Sequence, residues 1–408
     1  MVAVEQNIAL PLTVPATRDP RVKPSERVNT VDVLLVLRGL ACLMVVAAHA
    51  WEGQQEMLPH LLWIGNYDAT WLIRSSGNAG VWIFFTLSGY LMGKAFWSQR
   101  YDTTWHGALN FYWNRFLRIC PLYYFSLLLM VLMIPGALIG NGWKIFQLLT
   151  FTNRTNNIDG ALWSLSTEVQ FYLLVPLLAW AIFPRLTSRA RVLFFAAMAV
   201  LLPIGYTMLI AARERGLLTF WLWWNDIYTP LTYNIAIFFL GFLLNPWLTH
   251  YRKTHPPLRL PAWVLALVMT GVYVVACYSM KLVVDITGGM SVMSPVLFFW
   301  PLPTVAMTLL AIFLCEQRDY RLKRERFSLT ACRRNPWRSL EWMGLLSYGV
   351  YIFHFLVVKT VWSYLPPHVA LWPRILWCFF IPCLGSIILA SVTYLAIERP
   401  VENMKRFG

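Results

Sequence analysis

The feature that most constrains this chain is a succession of apolar runs, each about 18 to 25 residues long, separated by short polar connections. Runs of that length cross the hydrocarbon core of a bilayer as helices, because a spanning segment must satisfy its own backbone hydrogen bonds. They fall near 33–51, 78–97, 119–138, 163–183, 191–212, 228–247, 261–282, 295–315, 341–362 and 371–396. The expected fold is therefore all-α, a polytopic membrane helical bundle of about ten transmembrane helices. Composition agrees: 58% of the 408 residues are hydrophobic, 13% are charged, and the mean hydropathy is +0.54. A soluble domain of this size does not look like that.

The basic residues test this division of the chain, since short cytoplasmic loops are enriched in Lys and Arg. With both termini placed in the cytoplasm, most of the 34 basic residues sort to the inner side, including Arg18 to Arg27, Arg185 to Arg191 and the dense run from Arg318 to Arg338. The expected organisation is a cytoplasmic tail over 1–30, a transmembrane domain over 31–398 and a second cytoplasmic tail over 399–408. Residues 1–30 carry Pro11, Pro15, Pro20 and Pro24 and no apolar core, so they read as a tail and not as a cleaved signal peptide. The net charge of +15 is spread over several cytoplasmic segments, which argues for membrane orientation and against nucleic acid as a partner. Seven cysteines show no CxxC pair and no metal-ligand spacing, so reduced core residues and no metal are expected. Trp51, Trp71, Trp221, Trp223, Trp224, Trp362 and Trp372 lie near the outer span ends, where an aromatic belt would sit among membrane lipids.

Ionisable side chains inside a span cost about 2.5–3.5 kcal/mol each at the bilayer centre, so those that persist are paired, cavity-facing or functional. In LRGLACLMVVAAHA, Arg38 and His49 are separated by about 16 Å of helical rise and only about 20° of rotation, so one face carries both. The plain alternative is that Arg38 snorkels to the inner headgroups and His49 rests at the outer interface. A neutral imidazole can act as a general base. Glu168 stands near the outer end of WSLSTEVQFYLLVPLL, with Ser164 one turn before it and Tyr172 one turn after. At a depth similar to His49, its carboxylate is expected to orient the imidazole, as the third member of a hydrolase triad does. Arg115 and Arg118, at i and i+3 in NFYWNRFLRICPLYY, could hold an anionic ligand or lipid headgroups, and Pro121 suits the first turn of the third span. Ser88, Gly89 and Gly93 offer a small surface for close helix packing. His354, near Ser347 and Tyr351 on adjoining turns, reads as a second polar wall or as a hydrogen-bonded core histidine.

These segments together resemble the acyltransferase 3 family of membrane O-acyltransferases over nearly the whole chain. The resemblance is carried, in order, by LRGLACLMVVAAHA, GVWIFFTLSGYLMG, FYWNRFLRICPLYY, WSLSTEVQFYLLVPLL, LSYGVYIFHF and IERPVE. It implies that Arg38 and His49 are essential to acyl transfer, and the glutamate of its WSLS-x-E segment matches Glu168. Many members carry an acidic residue three positions before the arginine, where this chain has Leu35. The reaction implied is transfer of an acyl group, acetyl above all, from cytoplasmic acyl-CoA to a hydroxyl of a carbohydrate or lipid-linked glycan. The expected setting is a bacterial inner membrane. Arg38, Arg115, Arg118 and Ser88 would face the donor, and Trp163, Ser164, Tyr172 and His354 the acceptor. The outer loop supplies Asn153, Arg154, Asn156, Asn157 and Asp159 as polar groups suited to sugar hydroxyls. The rival reading is a transporter or flippase for a glycolipid or small anion, which also needs polar groups facing a membrane cavity.

Overall fold

A computed structural model describes residues 31–51, 61–133, 142–154, 161–213, 223–258, 260–287, 300–317, 332–333, 335–365, 370–402 and 404–405. The N-terminal tail, Trp221, Asn156, Asn157, Asp159 and most of the basic run after Arg318 lie outside those residues. The described chain is almost entirely helical. Its helices are α1 (Val33–Trp51), α2 (Trp71–Arg74), α3 (Gly77–Trp97), α4 (Trp105–Met133), α5 (Gly142–Leu149), α6 (Leu162–Ile182), α7 (Arg189–Arg213), α8 (Leu231–Arg252), α9 (Ala262–Thr287), α10 (Pro301–Glu316), α11 (Trp337–Ser363) and α12 (Trp372–Glu402). One two-stranded hairpin, Trp63–Ile64 with Tyr67–Asp68, precedes α2.

Among the described residues, eight helices are long and apolar enough to cross a membrane. With α3 and the shorter apolar α10 they fill the ten expected segments, and the protein is an integral, multi-pass membrane protein. Large apolar side chains left exposed, such as Leu132, Trp180, Leu202 and Leu209, belong to its lipid-facing surface.

The third expected span starts too late. Helix α4 begins at Trp105, so Pro121 lies in its interior and not in a first turn. The preceding stretch escapes a search for apolar runs because it alternates buried Asn110 and Asn114 with exposed Trp105, Leu109, Trp113 and Phe116. An interior proline removes one backbone donor. Close by, the Tyr348 hydroxyl donates to the Ile119 carbonyl at 2.6 Å, so a neighbouring helix supplies a bond within the disturbed turn.

Helix α1 packs most extensively against α11 and also against α3, while α3 packs against α8. Glycines make these crossings close. A Cβ at Gly39 would overlap the Leu340 carbonyl and lie 3.1 Å from the Gly344 nitrogen, and one at Gly344 would overlap the Leu35 carbonyl. Gly89 likewise leaves room for the Phe238 carbonyl, and Gly241 for that of Thr86. The packing expected of Gly89 and Gly93 is what α3 uses against α8.

Helices α1 and α11 run parallel and in register. Gly39 meets Gly344, the Cys42 thiol points to the Ser347 carbonyl at 3.7 Å, and His49 meets His354. The offset of 305 residues between Cys42 and Ser347 recurs between His49 and His354. The glycine contact at one end of the crossing therefore fixes which side chains meet at the other.

Candidate active site

The C-terminal turn of α1 delivers His49, and α11 delivers His354, which is fully buried. His354 Nδ1 lies 2.6 Å from the Tyr351 carbonyl oxygen. A carbonyl only accepts, so Nδ1 carries the hydrogen and, with both rings neutral, His354 Nε2 is an acceptor. The 2.9 Å contact between His354 Nε2 and His49 Nδ1 is then a bond donated by His49. It follows that the lone pair of His49 is on Nε2. The His49 ring is also held edge-on by Phe355, with centroids 5.5 Å apart.

Glu168 does not occupy the place beside His49 that sequence reasoning gave it. Its Oε1 accepts from the Ser88 hydroxyl and, at 2.5 Å, from the Tyr172 hydroxyl. The expected depth was wrong: α3 runs antiparallel to α1, with Gly77 against Ala48 and Gly80 against Ala41 and Val45, so Ser88, two turns further along α3, stands near the level of Arg38 and holds the carboxylate there, in the cavity that Arg38 lines. Ser88 is thus more than a packing residue, because its hydroxyl ties α3 to α6.

A cavity opens between α1, α3, α6 and α11. Arg38, Ser164, Glu168, Ser347, Tyr348 and Tyr351 line its polar side, and Val81, Phe84, Phe85 and Leu165 its apolar side. Ser164 bonds the Tyr351 hydroxyl, which also donates to the Ala161 carbonyl at 3.2 Å. The Tyr351 ring lies 5.5 Å from that of His354, so it joins the cavity to the histidine pair. The stripe Ser164, Glu168, Tyr172 thus stays together on α6, with Tyr172 buried beneath the carboxylate.

Three arginines gather below the cavity, and Arg115, Arg118 and Glu168 all bear electrostatically on Arg38. Arg118 pairs with Glu398 at 2.6 Å and lies over the Tyr348 ring at 5.4 Å. Arg115 sits over the rings of Phe111 and Tyr172, at 5.8 and 5.9 Å. Against the two carboxylates Glu168 and Glu398, the three guanidinium groups leave one positive charge in excess. Among the described residues, the Nε atoms of Arg38 and Arg115 are buried without a hydrogen-bond partner. Such orphaned donors on cationic groups are costly in a low-dielectric interior and are suited to an anion.

Other expected residues lie elsewhere. Trp163 is 4% exposed, with its ring against Tyr228 at 4.8 Å and Phe85 at 6.2 Å, so it is a core aromatic and not a stacking platform for a sugar. Trp51 is also buried, stacked on Phe379 at 5.5 Å, whereas Trp372, 76% exposed, is placed as an anchor would be. Asn153 is buried and Arg154 exposed. Sequence reasoning gave no role to Tyr348 or Glu398. The signal for Glu398 was its place in IERPVE: a π-helical turn over Tyr394–Glu398 ends on it and carries it to Arg118.

Fold and site together define a multi-pass membrane protein with a polar cavity that Arg38 lines and whose Tyr351 wall abuts a histidine pair. Residues 32–391 match the family model described as an acyltransferase domain, and the chain belongs to the acyltransferase 3 family. Its relatives include the Bacillus subtilis protein YrhL, whose name assigns it provisionally to peptidoglycan O-acetylation. It is 23% identical over 352 residues, which are 81% of this chain and 51% of that protein. Nodulation protein 10 of Rhizobium leguminosarum bv. viciae is 23% identical over 91% of this chain and 93% of its own length. The Staphylococcus aureus O-acetyltransferase OatA is 33% identical over 145 residues, 31% of this chain and 24% of that protein. The chain thus spans about half the length of the Bacillus relative and nearly all of the rhizobial one. No solved structure matches it.

Proposed function

We propose that this protein is an O-acetyltransferase of the bacterial inner membrane that moves an acetyl group from cytoplasmic acetyl-CoA to a hydroxyl of a carbohydrate acceptor. The observation that carries this reading is helix α1, which presents Arg38 to a polar cavity beside two further arginines and, three turns on, His49 to a second histidine. The names of the relatives, which refer to O-acetylation and in one case to peptidoglycan, favour an acetyl donor and a glycan acceptor. Residues 31–398 form the acyltransferase domain, with 1–30 and 399–408 as cytoplasmic tails, so the arginine end of α1 faces the cytoplasm.

The donor fits the lower site because Arg38 and Arg115 hold buried, unpartnered Nε donors and the cluster carries excess positive charge. Arg118 contributes to the field while remaining paired with Glu398. At the other end, His49 Nε2 takes the proton of the acceptor hydroxyl as that oxygen forms its bond to the thioester carbonyl carbon. His49 then returns the proton to the sulfur as the carbon–sulfur bond breaks. While His49 carries the extra proton, its Nδ1–H remains bonded to His354 Nε2, a hydrogen bond strengthened by the charge on the donor. His354 acts as a positioning residue, a part Glu168 does not take because its carboxylate lies nearer Arg38 and is engaged by Ser88 and Tyr172. Glu168 holds Ser88 and Tyr172 and balances Arg38 across the cavity.

The test is His49→Ala, expressed at the normal level in the parent strain, with mass analysis of surface glycans. The glycan acetyl increment, about 42 daltons for each ester formed by chemistry of this class, should vanish. Its retention would overturn the assignment.

A further inference from the structure

We propose that the acceptor is an anionic glycan and that Lys359 binds its negative group at the outer mouth of the active site. The inference rests on the acyl-transfer reading above and names the class of acceptor that the same site takes.

Lys359 lies on α11 beyond His354, about 7.5 Å further along the helix. In the proposed orientation that direction leads away from the arginines and the donor, toward the face from which the acceptor arrives. Phe355 precedes Lys359 by one turn on the same side of α11. Its ring meets that of His49 edge-on, with centroids 5.5 Å apart. The Lys359 ammonium stands over the same ring, 4.5 Å from its centroid. Laid end to end, the two distances put the ammonium no more than about 10 Å from the His49 imidazole. Phe355 thus holds the lysine on the side of α11 that meets α1.

The charge of Lys359 is not neutralised by the protein. Among the described residues it pairs with no carboxylate. Lys281 on α9, by contrast, pairs with Asp285 one turn on. Lys359 is exposed, so a ligand can reach it. An ammonium resting on an aromatic face still has N–H donors for a partner on its open side. An acceptor whose hydroxyl meets His49 Nε2 brings a carboxylate or phosphate on the same or the next sugar within reach of that ammonium. Either group supplies an anionic oxygen that accepts a charge-assisted hydrogen bond.

The test uses the purified protein in detergent micelles, radiolabelled acetyl-CoA and the unacetylated glycan extracted from a strain carrying His49→Ala. The glycan is offered untreated, after reduction of its carboxyl groups to alcohols, and after removal of its phosphates with hydrofluoric acid. Wild type should lose about tenfold or more in kcat/KM with one of the two treated forms, the worth of one hydrogen bond to a charged group, and the form that loses it identifies the anion. Lys359→Met keeps an unbranched stem over Phe355. It should raise KM for the untreated glycan about tenfold while kcat at saturating glycan and KM for acetyl-CoA stay as in wild type. Lys359→Arg should recover most of that loss. Wild type that uses both treated glycans as well as the untreated one overturns the proposal, and this comparison needs no variant. An unchanged glycan KM in Lys359→Met overturns it too, as the result expected of a lysine that serves only lipid headgroups. Wild type that transfers nothing to the untreated glycan is a separate result, which overturns the acyl-transfer reading and this proposal with it.

Discussion

Replacing His354 with leucine isolates the part the second histidine plays. The substitution keeps an apolar side chain of moderate size in a fully buried site but removes the acceptor of the 2.9 Å bond from His49 Nδ1. Two effects follow. His49 loses the bond that holds its ring, and its two neutral tautomers become closer in energy, so a fraction of the protein carries the proton on Nε2, where no base is left. Removing one partner of a buried hydrogen bond costs about 1–3 kcal/mol. If that cost falls on the reactive arrangement, transfer slows by about 5- to 150-fold, at 1.36 kcal/mol per factor of ten. The general-base contribution of about 10²- to 10⁴-fold sets the ceiling, which His49→Ala should approach. His354→Gln provides the internal control, because an amide oxygen can accept from His49 Nδ1 where leucine cannot. The assay is initial-rate acetyl transfer in vesicles, normalised to protein amount, for wild type, His354→Leu and His354→Gln. Activity should fall in that order of Leu below Gln below wild type. Transfer by His354→Leu within twofold of wild type, at equal protein level, would refute the tautomer argument.

Two further predictions concern the frame that holds the site. Gly39→Ala should destabilise the protein by about 1–3 kcal/mol, because the new Cβ overlaps the Leu340 carbonyl. It should also lower transfer, since the α1–α11 register reaches His49 and His354 about 15 Å along the helices. Thermal unfolding in detergent checks this against Gly142→Ala, where a Cβ meets nothing within 4 Å and no change is expected. Glu398→Gln should cost about 3 kcal/mol or more, because it leaves Arg118 without its carboxylate in a site where Glu398 is 4% exposed. Lys94→Met, at a pair in which the lysine is 44% exposed, should cost no more than about 1 kcal/mol, and equal shifts in the two variants would contradict the contrast.

The apolar runs alone determined the all-helical class, because a bilayer permits few other ways to bury a backbone. They also located most spans, since a run of the right length is the direct imprint of the hydrocarbon thickness. Where polar and aromatic residues alternate, as before Pro121, that imprint fades and the start of α4 was misplaced. Arg38 and His49 were legible on one face because both lie on one helix, whose rise and rotation per residue are fixed. Relations between helices were not legible. Whether Glu168 or His354 bonds His49 depends on the rotation and register of separate helices, which the Gly39–Gly344 and Gly89–Phe238 contacts set. In the same way, Trp163 looked available at a span end until Tyr228 and Phe85 covered it, and Glu398 gained its meaning only beside Arg118. Periodicity along a chain records what each helix buries, whereas the partner it finds is decided by how closely two backbones can approach.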